Sequence, residues 1–94
     1  MPLDKSIAGT DAMQKVVQSG LPGFYLDARG VYGIVIGKAY ICCFPNDDGS
    51  LDVTVDTMSA KGDFTRNVFW KSYQTPKEAI VALRKLSLKS YQKI

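Results

Sequence analysis

The chain is expected to fold as an α+β domain: an antiparallel β-meander of roughly three to five strands, with a short N-terminal helix and a C-terminal helix packed on the sheet. Three observations carry this expectation. Short apolar runs separated by Gly, Pro, Asn and Asp recur between residues 24 and 73, the pattern of strands joined by tight turns. Leu51, Val53 and Val55 alternate with Asp52, Thr54 and Asp56, the period of a strand with one wet face. Thr75-Pro76-Lys77-Glu78 opens a segment of helical periodicity, combining a capping box with proline at the first helical position.

Residues 1–8 read as a loose arm. A short helix is expected from Thr10 or Asp11, with Asp11 near its N-cap, Met13, Val16 and Val17 on one apolar face, and Gly20 and Pro22 as stop signals. Phe24–Ala28 and Val31–Ile36 read as strands around Asp27-Ala28-Arg29-Gly30, where Gly30 supplies the positive φ of a three-residue hairpin. Gly37-Lys38 admits two readings: a type II′ turn that splits Val31–Phe44 into paired strands, or a bulge within one long strand. Pro45-Asn46-Asp47-Asp48-Gly49-Ser50 is a dense turn cluster, since Asn and Asp side chains bond nearby backbone and Gly tolerates left-handed conformations.

In the alternating strand that follows, Asp52 and Asp56 are expected to face solvent with the apolar set turned inward. A loop over Ser59–Asp63 leads to a last strand over Arg66–Tyr73, whose valine and aromatic residues suit a pleated surface. In the C-terminal helix, Ala79, Ile80, Leu83 and Leu86 form the stripe that lies on the sheet, while Lys77, Arg84 and Lys85 stay wet. The end of the chain, from Ser87 or Leu88 to Ile94, is expected to fray.

At 94 residues the chain has room for one core, so residues 1–94 are read as a single domain. A domain of this size carries little surplus stability, which leaves a homodimer open. Its 46% hydrophobic and 22% charged residues match a globular protein and exclude the disordered class. The longest apolar stretch, Val31–Phe44, is broken by Gly33, Gly37 and Lys38, so it does not supply the ~20 apolar residues of a membrane span. The first residues lack the apolar run of a secretory signal, and the expected location is the cytoplasm.

Composition also narrows the chemistry. There is no histidine, hence no Ser-His or Cys-His nucleophile pair and no side chain whose ordinary pKa lies near neutrality. The two cysteines, Cys42 and Cys43, are adjacent; a bridge between neighbours is strained, and alternation sends one thiol into the core and the other to the opposite face. Two adjacent sulfurs lack the spacing of a zinc site, and Asp47, Asp48 and Asp52 around Gly49 lack the calcium-loop pattern. No cofactor, metal or catalytic residue is expected; a thiol enzyme is the remaining alternative, and burial in an apolar strand argues against it.

Charge is divided along the sequence. Residues 1–60 hold four basic groups against seven acids, and residues 61–94 hold eight basic groups against two. The acids expected on the surface are Asp47, Asp48, Asp52 and Asp56. The basic half interleaves Lys61, Arg66, Lys71 and Lys77 with Phe64, Phe69 and Tyr73, followed by Arg84 and Lys85. Together these nine residues are the candidate binding set, since cations track phosphates or carboxylates while aromatic faces stack. The competing arrangement, and the one favoured on packing, buries Trp70 and Val68 under the helix and leaves Phe69 and Tyr73 covered or half exposed.

Lys61-Gly62-Asp63-Phe64 resembles the start of the ribonucleoprotein motif of RNA-recognition domains, with Thr65 and Arg66 standing where that family has aromatic and aliphatic residues. The order helix, strands, helix is similar to double-stranded-RNA-binding domains, of whose lysine-rich second helix only Lys77 is matched. The first departs from its family at nearly every later position and the second lacks a GPxH-like loop, so neither resemblance gives a family assignment. The leading expectation is a non-enzymatic protein that docks on a protein or nucleoprotein partner, in the manner of small phage-encoded inhibitors of bacterial defence such as anti-CRISPR proteins. A nucleic-acid-binding module built on residues 61–93 is the alternative.

Overall fold

The computed structural model describes residues 11–88; the expected arm, Thr10 and the tail beyond Leu88 lie outside the described residues. The elements run α1 (Asp11–Gln18), β1 (Tyr25–Leu26), β2 (Tyr32–Ile36), β3 (Ala39–Pro45), β4 (Leu51–Met58), β5 (Phe64–Tyr73) and α2 (Pro76–Leu88). The strands form one sheet in sequence order, each antiparallel to the next. The chain is thus an α+β meander of five strands with a short N-terminal helix and a C-terminal helix on the sheet. No helix among the described residues is long and apolar enough to cross a membrane.

Turn chemistry sets the boundaries. Ile36 pairs with Ala39, Gly37 has φ +59°, and Lys38 is not in the left-handed region, so Gly37-Lys38 is the hairpin turn of the type II′ reading. At the first hairpin the Asp27 carboxylate accepts the amides of Arg29 (2.8 Å) and Val31 (3.1 Å). The Gly30 amide bonds the Asp27 carbonyl (3.0 Å) to close that turn, and the Phe24 amide is held by the Leu21 carbonyl (3.2 Å), so β1 is shorter at both ends than the expected Phe24–Ala28. The tip before β4 closes by the Ser50 carbonyl accepting the Asn46 amide at 2.9 Å and the Asp48 carboxylate accepting the Ser50 amide at 2.9 Å.

Helix α2 follows the signals at its start. Thr75 Oγ1 accepts the Glu78 amide (3.3 Å) and donates to Glu78 Oε1 (3.0 Å). Ala79, Leu83 and Leu86 are buried, with Ile80 half-buried beside them. The helix continues through Ser87 and Leu88, where fraying was expected. Leu86 is buried in that last turn, and its packing holds the turn in place.

Both helices lie on one face of the sheet. Met13 and Val16 of α1 join the α2 stripe over Tyr32, Ala39, Ile41, Cys43, Leu51, Val53 and Val55. Strand β5 starts at Phe64, earlier than the expected Arg66, and carries two extra residues relative to β4: Val68 lies between the Val55–Phe69 and Asp56–Asn67 pairs, and Thr65 between the Thr57–Arg66 and Met58–Phe64 pairs. These are bulges, which bend an edge strand and sharpen its twist.

The register corrects the expected orientation of β5. Phe69 and Tyr73 stand opposite the buried Val55 and Leu51 and pack against the helix-side core. Trp70 stands opposite Thr54 on the other face and is 65% exposed, and Val68, displaced into a bulge, is 38% exposed. The face without helices we term the open face.

Gly33 is the tightest point of that open face. A Cβ there would meet the Ile41 carbonyl oxygen at 2.7 Å and the Tyr40 ring and Cys42 Cβ at 3.0 Å, so the Tyr40 ring crosses the strand where a side chain would stand. Gly33→Ala is therefore expected to destabilise the fold by about 1–3 kcal/mol, read as a lower midpoint in urea unfolding. A substituted chain as stable as the parent would show that the Tyr40 ring does not lie there.

Candidate functional site

Cross-strand pairing assembles the open face. Tyr40, Cys42 and Phe44 of β3 stand opposite Asp56, Thr54 and Asp52 of β4, and Thr54 and Asp52 stand opposite Trp70 and Ser72 of β5. Tyr25 of β1 joins them through Gly33. Phe64 completes the set, its ring centroid 5.6 Å from that of Tyr40. Tyr25, Phe64 and Trp70 are each more than half exposed. Between them runs an open groove of about 310 Å³, floored by Cys42 and Thr54 and flanked by Arg29, Phe44, Asp56, Asn67 and Trp70.

Beneath this aromatic surface lies Asp52. Alternation predicted it on the solvent side and named it among the surface acids, yet only 5% of it is exposed. Its carboxylate accepts the Trp70 indole N–H (2.8 Å), the Asn46 side-chain amide (2.7 Å) and the Ser72 hydroxyl (2.5 Å). Burial pushes the Asp52 carboxyl up, and the bonds from Ser72, Asn46 and Trp70 together outweigh it, holding the group below the ordinary carboxylate range. Asp56 is half-buried and accepts the Asn67 amide at 2.9 Å. Asp47 and Asp48 remain exposed at the tip, where Asp48 is held low by its bonds from Ser50.

A further charged pair lies at the margin of the groove. Arg29 and Asp27 form a two-pronged ion pair, with Nη2 and Nε donating to Oδ2 at 2.7 and 3.0 Å. Burial pushes the Tyr40 phenol up to about 12, with the Cys42 and Asp27 charges acting in the same direction. The two cysteines are free and divided between the faces. Cys43 is in the core, where burial pushes its thiol up to about 12. Cys42 lies on the open face with Sγ 3.0 Å from Thr54 Oγ1, its thiol also raised by burial. Among the described residues no three His, Cys, Asp or Glu side chains gather around a common point.

The expected binding set divides. Lys71, Tyr73, Lys77 and Lys85 come together on the helix side, where β5 meets α2: Lys71 Nζ sits 5.5 Å from the Tyr73 ring centroid, and Tyr73, Lys77 and Lys85 line one cleft. Phe69 packs beneath as part of the core margin. Arg66 lines a separate hollow with Lys38 at the far end of the sheet. Lys61 is exposed in the β4–β5 loop, and Phe64 belongs to the open face. Arg84 is exposed on α2 and outside the cleft. Sequence reasoning missed Tyr25, Arg29 and Tyr40 as surface-forming residues and favoured the core for Trp70. In the segment that resembles the ribonucleoprotein motif, Lys61–Asp63 are loop, with Gly62 at φ +88°, and Phe64 opens β5. No family model, curated protein or solved structure matches the chain.

Two outcomes follow from this geometry. Asp52→Asn is expected to cost about 1–3 kcal/mol at neutral pH, because three donors then face an amide rather than a carboxylate. Since folding depresses the Asp52 pKa, its contribution is complete above the ordinary carboxylate value of about 3.9 and is lost as pH falls through the lower folded value. Urea titrations of the parent and variant should therefore diverge at neutral pH and converge in strong acid; a constant gap would contradict the assignment. Second, a thiol reagent at neutral pH should leave Cys42 and Cys43 untouched in the folded chain and modify both after denaturation. Fast labelling of either in the native state would reopen thiol chemistry.

Proposed function

We propose that this chain is a non-catalytic binding protein that docks a protein partner, free or within a nucleoprotein, on the open aromatic face of its sheet. The observation that carries the reading is Trp70. Its indole is 65% exposed, yet its N–H is held at 2.8 Å by the buried Asp52 carboxylate. An exposed aromatic plate fixed in one orientation loses little freedom on binding, and tryptophan is prominent among residues that dominate interface energies.

The surroundings suit protein better than polyanion. Arg29 is neutralised by Asp27, and Asp56 is hydrogen-bonded by Asn67, so the face offers aromatic area without excess positive charge, as interface centres do. The cations of the basic half mostly lie on the helix side or at the end of the sheet. A strand of nucleic acid that stacked on Phe64 and Trp70 would meet few of them, and this separation weighs against the combined stacking and phosphate reading. The form of docking proposed is inhibition of a larger complex by occlusion, of the anti-CRISPR type.

The chain contains one tryptophan, so Trp70 reports on its own surface. Tagged full-length protein is used to capture partners from bacterial lysate, in parallel with a Phe64→Ala/Trp70→Ala variant. The captured protein is then purified and titrated against the parent. Docking on the open face should shift Trp70 emission to the blue and shield it from acrylamide, and the variant should bind at least about tenfold more weakly. A partner that binds both chains equally and leaves the Trp70 spectrum unchanged would remove the open face from the interface.

A further inference from the structure

A second surface, on the opposite side of the sheet, has different chemistry. Where the edge strand β5 meets α2, a cleft of about 370 Å³ is lined by Tyr73, Lys77, Glu78, Val81, Ala82 and Lys85. Lys77, Val81 and Lys85 fall at intervals of four along α2, so they share a flank of the helix and the two lysines are about 12 Å apart along its axis. Lys71 stands beside the same cleft, over the Tyr73 ring. Three lysines thus surround an aliphatic floor in which Val81 is 41% exposed.

Among the described residues one acid, Glu78, lines the cleft beside these three lysines, so the group keeps a net positive charge. The Glu78 carboxylate is engaged by the Thr75 hydroxyl in the helix cap, and among the described residues none of Lys71, Lys77 and Lys85 forms a salt bridge. We infer that the cleft between β5 and α2 binds an acidic peptide segment in extended form, with one carboxylate at Lys77, another at Lys85, and an apolar side chain between them on Val81 and Ala82. An extended chain advances about 3.3 Å per residue, so carboxylates four positions apart match the lysine spacing. The pattern is acidic, any, apolar, any, acidic.

A nucleic acid fits the cleft less well. The Tyr73 ring packs against the core and carries the Lys71 ammonium, which leaves no free aromatic face for a base. The floor is aliphatic, and the exposed aromatic planes of Phe64 and Trp70 lie across the sheet. Phosphates could meet the lysines, but the apolar floor would remain unused.

The test uses the full chain at low ionic strength with three fluorescein-labelled probes: the peptide Glu-Ser-Leu-Ser-Glu, the same peptide with Ser in place of Leu, and a short thymidine oligonucleotide. The leucine peptide should bind, and the serine peptide should bind about tenfold more weakly, the discrimination expected of one apolar side chain in a pocket. Lys77→Glu/Lys85→Glu should abolish binding of the leucine peptide, with the far-ultraviolet spectrum unchanged. Trp70→Ala should leave it intact, which separates this cleft from the open face. Absence of peptide binding at millimolar concentration, equal binding of the two peptides, or tighter binding of the oligonucleotide would each overturn the inference and leave the open-face reading standing.

Discussion

On the open side of the sheet, polar groups covered by side chains lose water and must find protein donors, and the Asp52 carboxylate, 5% exposed, is where that demand is sharpest. A carboxylate removed from water is costly unless donors replace the lost solvent. Asp52 has three donors, one each from the tip before β4 and from two positions on β5. The same bonds that stabilise the charge fix the hairpin tip to the edge strand and orient the one tryptophan. The Cys42–Thr54 and Asp56–Asn67 contacts extend this pattern along the face, and among the described residues no buried side-chain nitrogen or oxygen lacks a partner.

This arrangement links stability to recognition. A tryptophan anchored by hydrophobic burial would be hidden from a partner, whereas Trp70 is anchored by its N–H and leaves most of its ring in solvent. The energetic cost of orienting the ring is met during folding rather than on binding. Tyr40 contributes in a different way. It lies across Gly33 and against Phe64, so one buried ring supports an exposed one. The open face is therefore a built surface with rigid elements, in keeping with a site placed on strands rather than on loops.

The fold was largely legible because its signals are local. The capping box at Thr75, the glycine of the Gly37-Lys38 turn and the Asn46–Ser50 cluster each act within a few residues, and each appears where the sequence places it. What was not legible depends on register. Alternation alone makes Asp52 a surface acid; only its pairing with Ser72, and the reach of Trp70 and Asn46, make it a buried acceptor. Trp70 is the larger and more apolar choice for a core, and composition favours burying it. Pairing with Leu51 and Val55 instead commits Tyr73 and Phe69 to the helix side. Once they are committed, the period of the strand forces Trp70 outward. The basic and aromatic residues that looked like one set in sequence are separated by the same period.

That separation makes β5 the strand on which both surfaces depend. Successive residues feed opposite faces: Phe69, Lys71 and Tyr73 toward the helices, Trp70 and Ser72 toward the open side. Among the described residues it is the last strand of the sheet, with no neighbour beyond it, and an unpaired edge invites indiscriminate strand addition. Two bulges, at Val68 and Thr65, and the cations Arg66 and Lys71 interrupt that edge, which are devices that discourage pairing through the backbone. Recognition by β5 is thereby left to side chains. A partner large enough to cover the open face and pass around the edge would meet an oriented aromatic plate first and uncompensated lysines second. Under the proposed docking, the first surface supplies contact area and the second discriminates by charge, which would make selectivity depend on both.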